Sequence, residues 1–178
     1  MTDQELRDLV GSLAVRHAEL AESQRETGQY LKEVGKQIGG LGEKFGSFTE
    51  GLALPSMTKI LTQRFGMDVV LPKARSRMNG RSRELDVLAY SRTSGEAIVV
   101  EVKSHLRQEG LDQMRKTLRE FREIFPEHAD KKIYGILAVV DAPEDLRDKV
   151  LQDGIYLARI HDGQFELQVP DSFQPRAF

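Results

Sequence analysis

The sequence predicts an α/β domain, a mixed sheet flanked by helices, preceded by a long N-terminal coiled-coil helix. Three observations lead there. Apolar residues recur every seven positions from Leu6 to Phe48. Two short aliphatic segments, Glu84 to Tyr90 and Ala97 to Lys103, flank a Ser/Thr/Gly turn, which is the pattern of a hairpin. A helical spacing of Leu111, Met114, Leu118, Phe121 and Phe125 is then followed by the apolar run Ile133 to Val140.

The heptad comes first along the chain. Leu6, Leu13, Leu20, Thr27, Val34, Leu41 and Phe48 form one row, and Val10, His17, Gln24, Leu31, Ile38 and Phe45 follow four residues after each of the first six. Such a seam asks for a partner helix, most simply that of a second copy, and its polar positions set register at a cost in stability. A helix folded back on its own domain is the alternative. Gly35, Gly39, Gly40, Gly42 and Gly46 each weaken the helix by about 1 kcal/mol relative to alanine, so Gly39-Gly40 is the expected hinge; the alternative is a helix that runs through it, since Leu41, Phe45 and Phe48 keep the spacing. The expected division is therefore a coiled-coil helix over 1–44, an α/β domain over 45–170 and a flexible tail over 171–178. Within the domain a helix from Phe48 to Phe65, bent or restarted by Pro55, precedes a strand from Met67 to Leu71 that Pro72 ends. After the hairpin and the Gln108 to Phe125 helix, Ile133 to Val140 is apolar on both faces and so central. Pro143 starts a short helix, and Ile155 to Ile160 and Phe165 to Val169 are late strands.

Composition narrows the function classes. At 178 residues, 39 % hydrophobic and 30 % charged, the chain has room for one compact domain plus an extension. The absence of cysteine excludes disulfides, thiolate zinc sites and a cysteine nucleophile, and fits a reducing, cytoplasmic setting. No apolar run approaches the roughly 18 residues of a membrane span, and the start, Met1-Thr2-Asp3-Gln4-Glu5, is unlike a secretory signal. A formal charge of −2 excludes a uniformly basic nucleic-acid binder. A local basic segment exists nonetheless: Lys73, Arg75, Arg77, Arg81 and Arg83 crowd into the stretch leading to the second strand, where the turn signal Asn79-Gly80 places them on a hairpin loop or long turn.

Chemistry concentrates on the hairpin. With the turn centred between Thr93 and Ser94, Asp86 lies opposite Glu101, and Glu101 and Lys103 share one face of their strand. Two carboxylates and an ammonium meeting at one place suit a divalent cation, Mg²⁺ or Mn²⁺, held by oxygen ligands beside a phosphate. The plainer alternative is an edge hairpin with solvated acids and a Lys103–Glu101 ion pair. The aliphatic neighbours Val87-Leu88 and Ile98-Val99-Val100 argue for burial instead, where an unpaired carboxylate is costly.

Asp86, then Glu101-Val102-Lys103 after a gap of 14 residues, in this order of elements, resembles the PD-(D/E)XK superfamily of nucleases, which have the restriction-endonuclease-like fold. The likeness covers about Phe45 to Val140. The proline that names the motif is replaced by Leu85. Combined with a coiled coil, the pattern is similar to a bacterial group of that fold with no assigned function. The resemblance implies Asp86 and Glu101 as metal ligands and Lys103 as the residue that positions or activates the attacking water. It implies Glu50 from the first core helix as a further acid, a place that an ordinary first-turn glutamate also fits. It implies a helix glutamine as well, Gln113 before Gln108. The expected activity is metal-dependent hydrolysis of nucleic-acid phosphodiesters, DNA before RNA, with the Lys73–Arg83 cations on the backbone and a homodimer or larger homo-oligomer joined by the helix. The alternative is a catalytically silent adaptor of the same fold that binds nucleic acid or protein.

Overall fold

The computed structural model describes residues 2–78 and 80–178, without the side chains of residues 3, 5–10, 14, 35–45, 78 and 81. The chain divides into two units, Met1–Lys44 and Phe45–Phe178.

The first unit is helical. Helix α1 (Asp3–Lys59) runs through Gly39 and Gly40, the expected hinge, as one element. Of the heptad positions, Leu13, Leu20 and Leu31 are 55 %, 57 % and 63 % exposed, an apolar row facing water. The side chains of Leu6, Val10, Ile38, Leu41 and Phe45 lie outside the described residues.

The second unit is a six-stranded sheet in the order β1-β2-β3-β4-β5-β6. Its strands are β1 (Val69–Met78), β2 (Arg81–Tyr90), β3 (Glu96–His105), β4 (Lys132–Asp141), β5 (Tyr156–His161) and β6 (Gln164–Leu167), with α2 (Gln108–Ile124) between β3 and β4 and α3 (Glu144–Gln152) between β4 and β5. The β1-β2-β3 pairs are antiparallel, β3-β4-β5 parallel and β5-β6 antiparallel. The two parallel crossovers step the same way along the sheet, and crossovers are right-handed, so α2 and α3 fall on one face. Leu111, Met114, Leu118 and Phe121 of α2 and Leu146 and Val150 of α3 join Leu85, Leu88, Val99 and Leu137 in the core there. The other face belongs to the end of α1: Ala53, Met57 and Leu61, one turn apart, meet Val87, Ile98, Val100 and Ile136. β4 is central and buried, as its two-faced apolarity predicts.

Prolines did not stop their elements. Pro55 lies inside α1, which continues to Lys59 and then widens into a π-helical turn, Ile60–Arg64. The helix is not restarted at Pro55: Ala53, Met57 and Leu61 are fully buried, and burying such side chains offsets a proline cost of about 3 kcal/mol. Pro72 does not end β1 either: it pairs with Val87, and the strand runs on to Met78. β1 is the outermost strand, the place in a sheet where a proline is tolerated because one side of the strand carries no ladder. The cations expected on a loop therefore sit on a ribbon, closed by a tight turn with Gly80 at φ +77°. Segment 170–178 forms no helix or strand, yet Arg176 N–H donates to the Gly154 carbonyl and Phe178 N–H to that of Ile133.

Gly135 on β4 is where α2 comes closest to the sheet. A Cβ there would lie 2.6 Å from Met114 Cε and 2.8 Å from Leu118 Cδ1. Gly135→Ala should lower stability by about 1–3 kcal/mol through overpacking, read as a fall in the urea midpoint at unchanged slope. An unchanged midpoint would mean that α2 is not pressed against β4.

Candidate metal and phosphate site

The β2–β3 register is the one the turn predicts. Val87 pairs with Val100, so Asp86 and Glu101 are the next step of the same register. The ladder ends there, and the acids stand where the strands part. One side chain replaces the missing rung: Val102 N–H donates to Asp86 Oδ2 at 2.7 Å. The break has a second cause on the other side of β2. Leu85 and Leu88 both enter the core under α2, whereas Val87 and Ala89 enter the core under α1. Strict alternation would place Leu85 with Val87. The pleat changes phase at Asp86, and in β1 at Lys73, which has φ +51°. Pro72–Val87 and Ala74–Leu85 pair, but Lys73 and Asp86 between them do not.

Glu101 is 5 % exposed. Its Oε2 takes a bond from Lys103 Nζ at 3.4 Å, and Lys103 lies against Gly110 in the first turn of α2. Burial first, and then the charge of Asp86, push the Glu101 carboxyl up to about 7 in spite of Lys103. Burial also raises Asp86. The Val102 N–H and the Lys103 charge act against this, and the charges of Glu50 and Glu84 add to it. Asp86 and Glu101 thus both hold a proton more readily than a free carboxylate, first because they are buried and then because of the negative charge beside them.

Glu50, on α1, reaches the same place: it lines a cleft of about 240 Å³ with Lys73, Asp86 and Val102. Its Oε2 is 3.5 Å from Lys73 Nζ. Among the described residues no group of three or more His, Asp or Glu gathers to ligate one ion. Gln113 is exposed and makes no hydrogen bond among the described residues, although Glu120, two turns on along the same stripe of α2, reaches β2. Gln108 is turned elsewhere, to Asp112 and Lys149.

The basic residues separate by face. Arg75 is paired with Glu84 and so engages the acid that also lies on the Asp86 strand. Arg77 is exposed. Arg83 is bonded to Glu120 at 3.1 Å, and its charge favours ionised Glu101. The Arg81 backbone pairs with Met78, and its side chain lies outside the described residues. His105 faces Asp141 at 2.6 Å. His128, at the end of a short 3-10 helix (Pro126–His128), is 8 % exposed and packed on Tyr90 and Phe121, and burial lowers its pKa.

Two features of the site were not read from the sequence. The Val102 bond to Asp86 arises where two strands part, and the left-handed Lys73 arises within a strand. Pro72 gives no signal for the latter, since a proline fixes its own φ and restricts the residue before it, not the one after.

No family model matches the chain, and no curated protein matches it in sequence. Solved structures match in shape. EndoMS in a complex with double-stranded DNA aligns at 16 % identity and a TM-score of 0.39, over 62 % of this chain and 45 % of that one. A repair endonuclease from Pyrococcus abyssi aligns at 17 % identity and 0.40, over 61 % and 47 %. A protein of unknown function aligns at 17 % identity and 0.39, over 67 % and 59 %. The chain thus spans less than half the length of the first two. The likeness is distant, and the chemistry of the site rests on the site's own residues.

Proposed function

We propose that this protein is a metal-dependent nuclease acting on phosphodiester bonds of nucleic acid, DNA before RNA. One observation carries the reading: Asp86 and Glu101 adjoin at the parting of two strands, both raised in pKa by burial and negative charge, with Lys103 3.4 Å from Glu101. Hard oxygen donors with excess negative charge fit Mg²⁺ or Mn²⁺. Mg²⁺ in particular needs only one or two carboxylates, its other positions going to water and substrate phosphate. Asp86 and Glu101 would hold it. Bound there, the ion would polarise the phosphate and lower the pKa of a coordinated water. Val102 N–H fixes the Asp86 carboxylate in orientation. Lys103, its stem against the start of α2, brings an ammonium to negative charge developing on the phosphate. Glu50 is close enough to add to the field on Asp86, whereas a role for Gln113 rests on the family resemblance alone.

The exposed Leu13, Leu20 and Leu31 support pairing of the N-terminal helix with that of a second copy, as a homodimer or larger oligomer, in keeping with a division at residue 44. Lys73, Arg75, Arg77, Arg81 and Arg83 would hold the nucleic-acid backbone, where phosphate contacts give affinity and position more than sequence readout. No helix among the described residues is long and apolar enough to cross a membrane.

The direct test is calorimetric titration of Mg²⁺ and Mn²⁺ into the wild type and Asp86→Ala. Saturable binding to the wild type, lost in the variant, is expected. No binding to the wild type, even with a DNA oligonucleotide present, would leave a silent adaptor of the same fold.

A further inference from the structure

Lys73 differs from the other cations of the ribbon in backbone, position and partner. Its φ of +51° places a non-glycine residue in the left-handed region, which costs of order 1–3 kcal/mol and tends to persist at functional sites. Packing does not offset this cost, since the Lys73 side chain is 59 % exposed. Nor does pairing, since Lys73 and Asp86 leave a gap in the β1–β2 ladder. The turned backbone instead puts the ammonium in the cleft with Asp86, 3.5 Å from Glu50. An anion entering this cleft meets the carboxylates of Glu50 and Asp86, and Lys73 is the cation lining it.

We propose that Lys73 is a substrate-binding residue of the site: its ammonium leaves Glu50 to contact a non-bridging oxygen of the nucleic-acid phosphate seated beside Asp86. Arg75 and Arg77 on the same ribbon serve flanking phosphates. The proposal rests on the nucleic-acid reading above and adds which phosphate Lys73 serves.

The test uses a fluorescein-labelled 20-base-pair duplex, with anisotropy measured in Ca²⁺ over a range of KCl, for the wild type, Lys73→Gln, Lys73→Gly and Lys73→Arg. Each phosphate contact contributes about 0.9 to the slope of log affinity against log salt. Lys73→Gln and Lys73→Gly should each lose about that much, and Lys73→Arg should keep it. Lys73→Gly should also melt at or above the wild-type temperature, since glycine takes this φ without strain, so a loss of slope there is not unfolding. Single-turnover cleavage in Mg²⁺ at saturating duplex should fall at least about tenfold in Lys73→Gln. Unchanged slopes in both Lys73→Gln and Lys73→Gly would overturn the proposal, as would a lost slope with an unchanged saturating rate, which places the contact outside the cleft. A wild type that binds but does not cleave, with the slope loss intact, removes the nuclease reading and keeps the Lys73 contact. A wild type that binds no duplex removes both.

Discussion

Lys103→Ala should lower Mg²⁺-dependent cleavage of a labelled duplex by about 10²- to 10³-fold, with duplex affinity within a few-fold of wild type. The magnitude is that of removing one preorganised group that meets charge developing in the transition state. Affinity is spared because the ribbon cations, on other strands, supply the backbone contacts. The substitution also removes the positive charge that favours ionised Glu101, so the Glu101 carboxyl should titrate still higher than its present value of about 7. The pH–rate profile of any residual activity should therefore move to higher pH. Single-turnover rates across pH test both effects. A variant that cleaves at the wild-type rate would dismiss Lys103 as a catalytic residue and return it to a plain ion-pair partner of Glu101.

Glu101→Gln should stabilise the metal-free protein at pH 8 while abolishing its response to Mg²⁺. The direction follows from linkage. The Glu101 carboxyl binds its proton more tightly in the folded chain, about 7, than at its ordinary value of 4.5. Its contribution to stability is fully present below the ordinary value and is lost as the pH rises through about 7. A separation of that size sets an upper bound of about 3 kcal/mol, because Glu101 is almost wholly buried and coupled to Asp86. The difference in unfolding free energy between Glu101→Gln and wild type should thus favour the variant at pH 8 and shrink on acidification to pH 4.5. Taking this difference cancels opposing groups such as His128, whose burial lowers its pKa and penalises acid conditions. With Mg²⁺ at pH 8 the order should reverse, the wild type gaining stability and the variant little. A wild type whose melting point ignores Mg²⁺ would mean that the acids serve only each other and Lys103.

Much of the fold was legible locally. The hairpin register was set by the turn at Thr93-Ser94, because in an antiparallel pair one known turn fixes every later pairing. β4 and α2 were legible because an apolar run and a three- and four-residue spacing each specify one kind of burial. The prolines were misleading for a related reason. Local chemistry states what a proline removes, an N–H, but not whether that N–H had a partner. Pro72 lies in the edge strand, where a proline is tolerated, and at Pro55 the buried Met57 and Leu61 hold the helix against the core.

The candidate site divides along the same line. That Asp86, Glu101 and Lys103 come together was contained in the sequence, since alternation and one turn suffice to bring them to adjoining strands. Which residues join them was decided by tertiary structure. Glu50 and Asp86 are 36 residues apart, and only the packing of α1 under the sheet makes their charges interact. Lys73 enters the cleft only because β1 and β2 change phase together, and Arg83 is drawn to Glu120 by the docking of α2. The raised carboxyl of Glu101 is likewise a property of the assembled core: desolvation depends on all the atoms that surround a group, and no stretch of neighbours in sequence supplies them.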